Sequence, residues 1–258
     1  MDPVRRTTTR GVLTLTLSDV ENRNALGGAL VQGLYDAIAD ANADPAIRAV
    51  VVTNEGNTFC AGANLKQQGA GAMPGVAATV GLDELLRSIQ TSSTPILGRI
   101  AGHVVGGGNG LAAALDVSIA ADDVKFGFTE VRLGVAPAII SVVCLPKLRR
   151  GDALEAFLRG HRFSAARAAE MGLINRAVPR DQLDTSIEEV LADLRLGGPK
   201  ALGAAKRLVY EVPNLPQDDA FRQMSRLSAE LFRSQEAAEG IAAFAGRRPP
   251  AWAVDDDA

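Results

Sequence analysis

Three short segments carry residue types able to stabilise and move charge at a carbonyl group. In "AGHVVGGGNGLAAALD", residues 101–116, an apolar run enters Gly106, Gly107 and Gly108 and passes straight into helical spacing. A peptide N–H at such a helix start has no intrahelical acceptor and lies at the positive end of the helix dipole, so it can bind an anion or an oxyanion. A second small-residue turn, "NTFCAGANL" at 57–65, follows another apolar run and again leaves backbone amides open to approach. Two converging amides make an oxyanion hole, in which each donor is worth roughly 2.7–4 kcal/mol once negative charge develops on a carbonyl oxygen. The third segment, "FGFTEVRLGVAPAII" at 126–140, sets Glu130 among Phe126, Phe128, Val131 and Leu133. Desolvation would raise the pKa of a carboxylate held there toward the range in which it both takes and returns a proton near neutral pH.

Each segment also has a plainer explanation. A glycine triplet serves any tight turn between a closely packed strand and helix, and Glu130 could be a surface carboxylate paired with Arg132. Dinucleotide binding fails on spacing, because "GGGNGL" is not G-x-G-x-x-G and no acidic residue ends a following strand. The same run lacks the lysine and hydroxyl of a P-loop. Cys60 reads as a small core residue, since neither His103 nor His161 is placed as its base. Both histidines read as structural, and no metal site is expected.

The elements that must position these segments follow from periodicity. Residues 12–17 alternate Leu with Val or Thr, a strand with one buried face. Leu30, Leu34 and Ile38 give a helix over 27–43, stopped at Asp44-Pro45. "RAVVVTNEG" then reads as a buried parallel strand at 49–53, completing a βαβ unit. A mobile Gly- and Ala-rich loop is expected at 69–81, a helix at 82–90, a third strand in "PILGRIAG" (95–102), a helix at 109–115 and a fourth strand at 117–121. Beyond about residue 150 the spacing is helical, at 152–159, 164–171, 181–194, 199–210 and 217–243. In the last of these Phe221, Met224, Leu227, Leu231, Ala238 and Ile241 form an apolar stripe, either core packing or a face for another subunit. "VDDDA" at the end reads as a solvated acidic tail.

Composition bounds the function classes. With 258 residues and 47% hydrophobic content the chain can bury a sizeable core. The 27 Lys and Arg against 30 Asp and Glu argue against a basic nucleic-acid-binding domain, and 4% aromatic content argues against base stacking. Cys60 and Cys144 alone cannot build a disulfide framework. No signal-peptide core is present, and the apolar stretch 135–145, interrupted by Pro137 and Ser141, is too short to span a bilayer. The expectation is a cytoplasmic protein with no membrane and no nucleic-acid partner.

Taken in order, "ENRNAL", "TFCAGANL", "GHVVGGGNGLAAALD", "FTEVRLGVAPAIIS" and "GHRFSAARAAEMGLINRAV" resemble the enoyl-CoA hydratase/isomerase family, also called the crotonase family. The resemblance implies an α/β, crotonase-like (ClpP/crotonase) superhelix of stacked ββα units over residues 1–195. It also implies a helical C-terminal part over 196–258 that forms a homotrimer or a dimer of trimers. The substrate implied is an acyl-CoA thioester, with no separate cofactor because coenzyme A is part of that substrate. The amides of Ala63 and Gly107 match the oxyanion-hole positions, and Glu130 matches the second of two catalytic glutamates. Arg23, Ala25, Ala61, Asn64 and Leu65 match positions along the CoA and pantetheine path, with Gly106 and Gly110 in the glycine turn. Pro137 and Ala138 match the turn beside the reacting carbons. One departure stands out: the hydratase pattern has a glutamate two residues after the glycine triplet, where this chain has Gly110. Hydration of a trans-2-enoyl thioester by Glu130 alone is the favoured activity. A Δ3,Δ2-enoyl-CoA isomerase and an inactive acyl-CoA-binding homologue are the alternatives.

Overall fold

The computed structural model describes residues 2–64 and 80–253. Most of the loop expected at 69–81 and the acidic tail lie outside the described residues. The chain opens with an antiparallel hairpin, β1 (Val4–Thr9) and β2 (Val12–Leu17), whose turn holds Arg10 at φ 47° and Gly11 at φ 71°. Positive φ at both central residues is the two-residue hairpin geometry that matches strand twist. Helix α1 (Gly28–Ala43) follows and buries Leu30, Leu34 and Ile38 along one stripe. It returns the chain to β3 (Ala49–Asn54), buried at all six residues and parallel to β2.

From β3 onward the chain repeats one pattern: a long strand, a corner, a three-residue strand, then a helix. The first round is β3, β4 (Thr58–Cys60) and, after the undescribed stretch, α2 (Leu82–Thr91). The second is β5 (Ile96–Ile100), β6 (His103–Val105) and α3 (Gly107–Ala114). The third is β7 (Val117–Ala121), β8 (Lys125–Gly127), a 3-10 turn at Glu130–Leu133 and α4 (Ala138–Cys144). After α5 (Arg150–Arg159) come β9 (Arg162–Ser164), α6 (Ala165–Glu170) and β10 (Arg176–Val178). The long strands form a six-stranded sheet in the order β1-β2-β3-β5-β7-β10, and the short ones a second sheet in the order β4-β6-β8-β9. Gly102 shows how tightly the corners are drawn, since a Cβ there would lie 2.6 Å from the Phe59 backbone nitrogen. The result is the expected stacking of ββα units.

Several boundaries differ from the periodicity reading, each for a local reason. α3 starts at Gly107, two residues early, because glycines carry no apolar spacing to read. The spacing gives no sign of the second sheet, since three residues are too few to show a period of two. Nor does the spacing mark α4, whose run of Ile and Val fits a strand as well as a helix. The helix expected over 217–243 is two, α9 (Gln217–Phe232) and α10 (Gln235–Ala245), because the Ser234 hydroxyl accepts the Ala237 N–H and caps a new start.

α7 (Leu183–Leu196) packs on β5 and β7, and α8 (Pro199–Glu211) is tied to the core by a buried ion pair. Lys206 Nζ lies 2.8 Å from Asp116 Oδ2 and donates to the Ile89 carbonyl at 2.7 Å. α9 buries no residue within the chain, and Phe221 and Ile241 of the apolar stripe are more than half exposed, so that stripe is not ordinary core packing.

Candidate active site

The site forms where three neighbouring strands of the small sheet end side by side. β4 leads into Ala61–Ala63, β6 into Gly106–Gly107, and β8 into Thr129–Glu130. Because the sheet order is β4-β6-β8, the glycine turn lies between the other two strand ends. β8 is anchored from below by Phe126 and Phe128, both fully buried, with the Phe128 ring 4.6 Å from that of Phe157. The intervening Gly127 carbonyl accepts the Gly106 N–H at 2.9 Å and stitches the glycine turn to β8.

The first two turns touch backbone to backbone. Gly62, at φ +85°, has no room for a side chain: a Cβ would lie 2.9 Å from both the Gly107 nitrogen and the Val105 carbonyl oxygen. A Cβ on Gly107 would lie 3.7 Å from the Ala63 nitrogen, which places those two amides next to each other. Neither the Ala63 nor the Gly107 N–H donates to a backbone carbonyl outside a helix or strand, and as the first residue of α3 Gly107 has no intrahelical acceptor.

The "ENRNAL" loop closes the same edge. Leu26 pairs with Ala63 through its N–H on the Gly62 carbonyl at 2.7 Å, and the Ala61 N–H reaches the Arg23 carbonyl at 3.1 Å. Arg23 and Asn24 both take left-handed backbone, at φ 55° and 53°. Asn24 holds that conformation by donating its buried side-chain amide to the Thr58 carbonyl at 2.8 Å. Arg23 is exposed, Ala25 is buried, and Ala61 and Asn64 are half-buried beside them. Leu65 lies outside the described residues.

Glu130 faces this pair of turns from the other side. Its Oε1 would be 3.6 Å from a Cβ on Gly106, and its Oε2 is buried with no hydrogen-bond partner. It forms no ion pair with Arg132, which is exposed, so the surface-pair explanation does not hold. Burial pushes the Glu130 carboxyl above its ordinary pKa, opposed only by a backbone hydrogen bond. Cys144 lies close enough to feel that charge, and burial pushes its thiol up to about 12. Pro137 is buried and Ala138 exposed where α4 begins. Gly110 is buried on the next turn of α3, directly against Ile140 of α4.

Two further residues shape the site, and only one of them carries a sequence clue. Asn109, fully buried, donates its side-chain amide to the carbonyls of Gly106 at 3.0 Å and Gly127 at 2.9 Å. It thereby braces the helix start against the strand that delivers Glu130. An asparagine inside a glycine run was the available clue. Ile140 had none, since its contact with Gly110 spans thirty positions. Of the histidines, His103 accepts the Lys125 N–H through Nδ1 at 3.0 Å, and His161 packs its ring 6.2 Å from that of Phe163.

The stacked ββα units and the strand-end amides are those of the crotonase fold. The family profile described as enoyl-CoA hydratase/isomerase matches residues 7–255, so the chain belongs to that family. The enoyl-CoA hydratase EchA19 of Mycobacterium tuberculosis is 30% identical over 244 residues, covering 92% of this chain and 91% of that one. The carnitinyl-CoA dehydratase of Proteus mirabilis is 29% identical over 255 residues, covering 95% and 96%. Among solved structures, Pseudomonas aeruginosa AtuE superposes with a TM-score of 0.90 at 30% identity, over 97% of this chain and 99% of that one.

Proposed function

We propose that this chain hydrates the double bond of a trans-2-enoyl-CoA thioester, giving a 3-hydroxyacyl-CoA. The observation that carries the reading is the Glu130 carboxylate, its Oε2 without a hydrogen-bond partner, held beside two adjacent, undonated amides. The thioester carbonyl oxygen accepts from the Ala63 and Gly107 N–H groups. Glu130 takes a proton from water as the hydroxyl adds to C3, and the electron pair of the double bond moves toward the carbonyl oxygen. The enolate is stabilised there, and Glu130 then returns the proton to C2. Coenzyme A enters as part of the substrate, along Arg23, Ala25, Ala61 and Asn64, with Gly106, Pro137 and Ala138 beside the reacting carbons. Relatives named for hydration and for dehydration, its reverse, support this direction of chemistry.

A second reading is favoured by one feature, the glycine at position 110. With a single carboxylate, Glu130 could instead move a proton from C2 to C4 of a 3-enoyl thioester, which is isomerisation. Loss of enoyl-thioester absorbance with crotonyl-CoA and with a long-chain 2-enoyl-CoA, in wild type beside Glu130→Gln, tests both. Turnover that vanishes in the variant supports hydration. Turnover of a 3-enoyl-CoA alone supports isomerisation, and tight CoA binding without turnover of either means a binding homologue. We further propose that residues 196–258 join copies of the chain into a homotrimer or dimer of trimers, through a face that includes the exposed Phe221, Phe232 and Phe244. Sedimentation equilibrium reads that directly.

A further inference from the structure

We infer that Ile140 is a specificity-determining residue: its side chain fills the space into which a group at position 110 would project, and so keeps a second carboxylate from joining Glu130 there. This rests on Glu130 being the base.

The argument begins on α3. Gly107 and Gly110 are three residues apart and share a helix face. A side chain at position 110 would therefore project from the same face as the Gly107 position, whose amide adjoins that of Ala63. That projection is blocked by hydrocarbon. A Cβ at Gly110 would lie 2.2 Å from Ile140 Cγ2 and 2.6 Å from Ile140 Cβ, distances no pair of carbons tolerates. The Ile140 Cα, at 3.4 Å, is the nearest part of the residue that would not collide. Ile140 cannot swing clear, because it is 3% exposed and lies in the core with Val143 and Cys144. Positions 110 and 140 are thus coupled. A glycine at one admits the isoleucine at the other, and either residue alone would leave a clash or a hole.

The chemical consequence follows from what else can titrate nearby. Among the described residues Cys144 is the titratable group that senses Glu130, and a thiol pushed up to about 12 moves no proton at neutral pH. Lys147, the next cation along the chain, spends its ammonium on the Leu115 carbonyl at 3.2 Å. Among the described residues the site has one proton carrier, Glu130. A carboxylate at position 110 would require position 140 to be emptied down to its Cα.

The test is a four-member cycle of wild type, Gly110→Glu, Ile140→Gly and the double variant, each assayed for folding, crotonyl-CoA hydration and 3-enoyl-CoA isomerisation. Gly110→Glu alone is expected to lose its cooperative melt. The double variant is expected to fold and to show a hydration-to-isomerisation ratio about tenfold or more above that of Ile140→Gly, the low end of what a positioned acid or base contributes. A merely structural pair would restore folding and leave that ratio unmoved, which would overturn the proposal. So would a Gly110→Glu protein that folds with the wild-type ratio. Should the double variant not fold, Gly110→Ala decides: it must lower Tm in wild type and be tolerated in Ile140→Gly, and equal changes in both backgrounds would overturn the contact. None of these outcomes bears on Glu130 itself. Activity retained by Glu130→Gln sinks the proposed base while leaving the cycle interpretable.

Discussion

Replacing Gly62 by alanine should separate the two amide-bearing turns while leaving every titratable group in place. Two costs add. Left-handed backbone at φ +85° is unfavourable for any residue with a Cβ, by roughly 1–2 kcal/mol. The added methyl would then sit 2.9 Å from the Gly107 nitrogen and from the Val105 oxygen, about half an ångström inside ordinary contact. Both neighbours are backbone held in β6 and α3, so they cannot rotate away, and such overpacking costs typically 1–3 kcal/mol more. The expected loss is about 2–5 kcal/mol of stability. Gly134 is the control, because it has φ +75° with nothing within 4 Å, and Gly134→Ala should therefore lose the backbone part only. The catalytic effect should exceed what the loss of stability explains. Pushing Gly107 away from Ala63 misplaces one donor of the proposed oxyanion hole, an error that costs about 10² in rate. The assay is steady-state hydration of crotonyl-CoA at a temperature where both variants are folded. An oxyanion donor acts mainly in the transition state, so kcat should fall with little change in KM. Wild-type kcat in Gly62→Ala, or equal kcat losses in both variants, would refute the placement of the two amides.

Glu130→Gln should abolish hydration yet melt higher than wild type at pH 8. The raised pKa means that the folded chain keeps a proton the unfolded chain releases, so this group's contribution to stability is full below about pH 4 and is lost as pH rises through the folded value. The Tm advantage of the variant should vanish below that pH, and a pH-independent difference would contradict the buried-charge argument. For the same reason the acid limb of kcat/KM should have its midpoint above the range of an ordinary glutamate, and a midpoint at or below about 4.3 would count against Glu130 as base. Asn109→Ala strips donors from the Gly106 and Gly127 carbonyls and should cost about 1–3 kcal/mol, with kcat reduced because the helix start loses its brace; urea unfolding measures the first part. Lys206→Met leaves Asp116 buried without its partner and should cost about 3–5 kcal/mol, part of it recovered by adding Asp116→Asn. A double variant no more stable than the single would mean the pair is not coupled.

How far these features were readable from the chain depends on whether their physics is local. The alternation of strand and helix was legible, because Leu30, Leu34 and Ile38 answer to one helix period and the run at 49–53 to one buried strand. The small sheet was not, since β4, β6 and β8 have three residues each and owe their existence to pairing across the fold. Yet that sheet is what turns three separate motifs into one site. Glycine runs and a lone glutamate among aromatics mark where backbone and charge do something unusual, but they say nothing about adjacency. Adjacency comes from the β4-β6-β8 order, which sets Gly62 against Gly107 and Glu130 against Gly106.

The same distinction explains why the missing glutamate looks different in sequence and in space. Along the chain, Gly110 reads as a deletion, a carboxylate gone and nothing in return. In the fold the position is occupied, because the side chain of Ile140 has taken the volume from the neighbouring helix. An empty position would admit water and leave α3 and α4 poorly packed, at a cavity cost of about 24 cal/mol for each Å³ left unfilled. A filled one sets hydrocarbon against that side of the site. In the proposed mechanism, proton transfer through a single half-buried carboxylate would demand that Glu130 give back what it takes before the intermediate escapes. In that mechanism the two amides, by holding the enolate, would supply that interval. The hydrocarbon plug, the raised Glu130 pKa and the paired amides are therefore parts of one arrangement, and a change to any of them should alter how the other two are used.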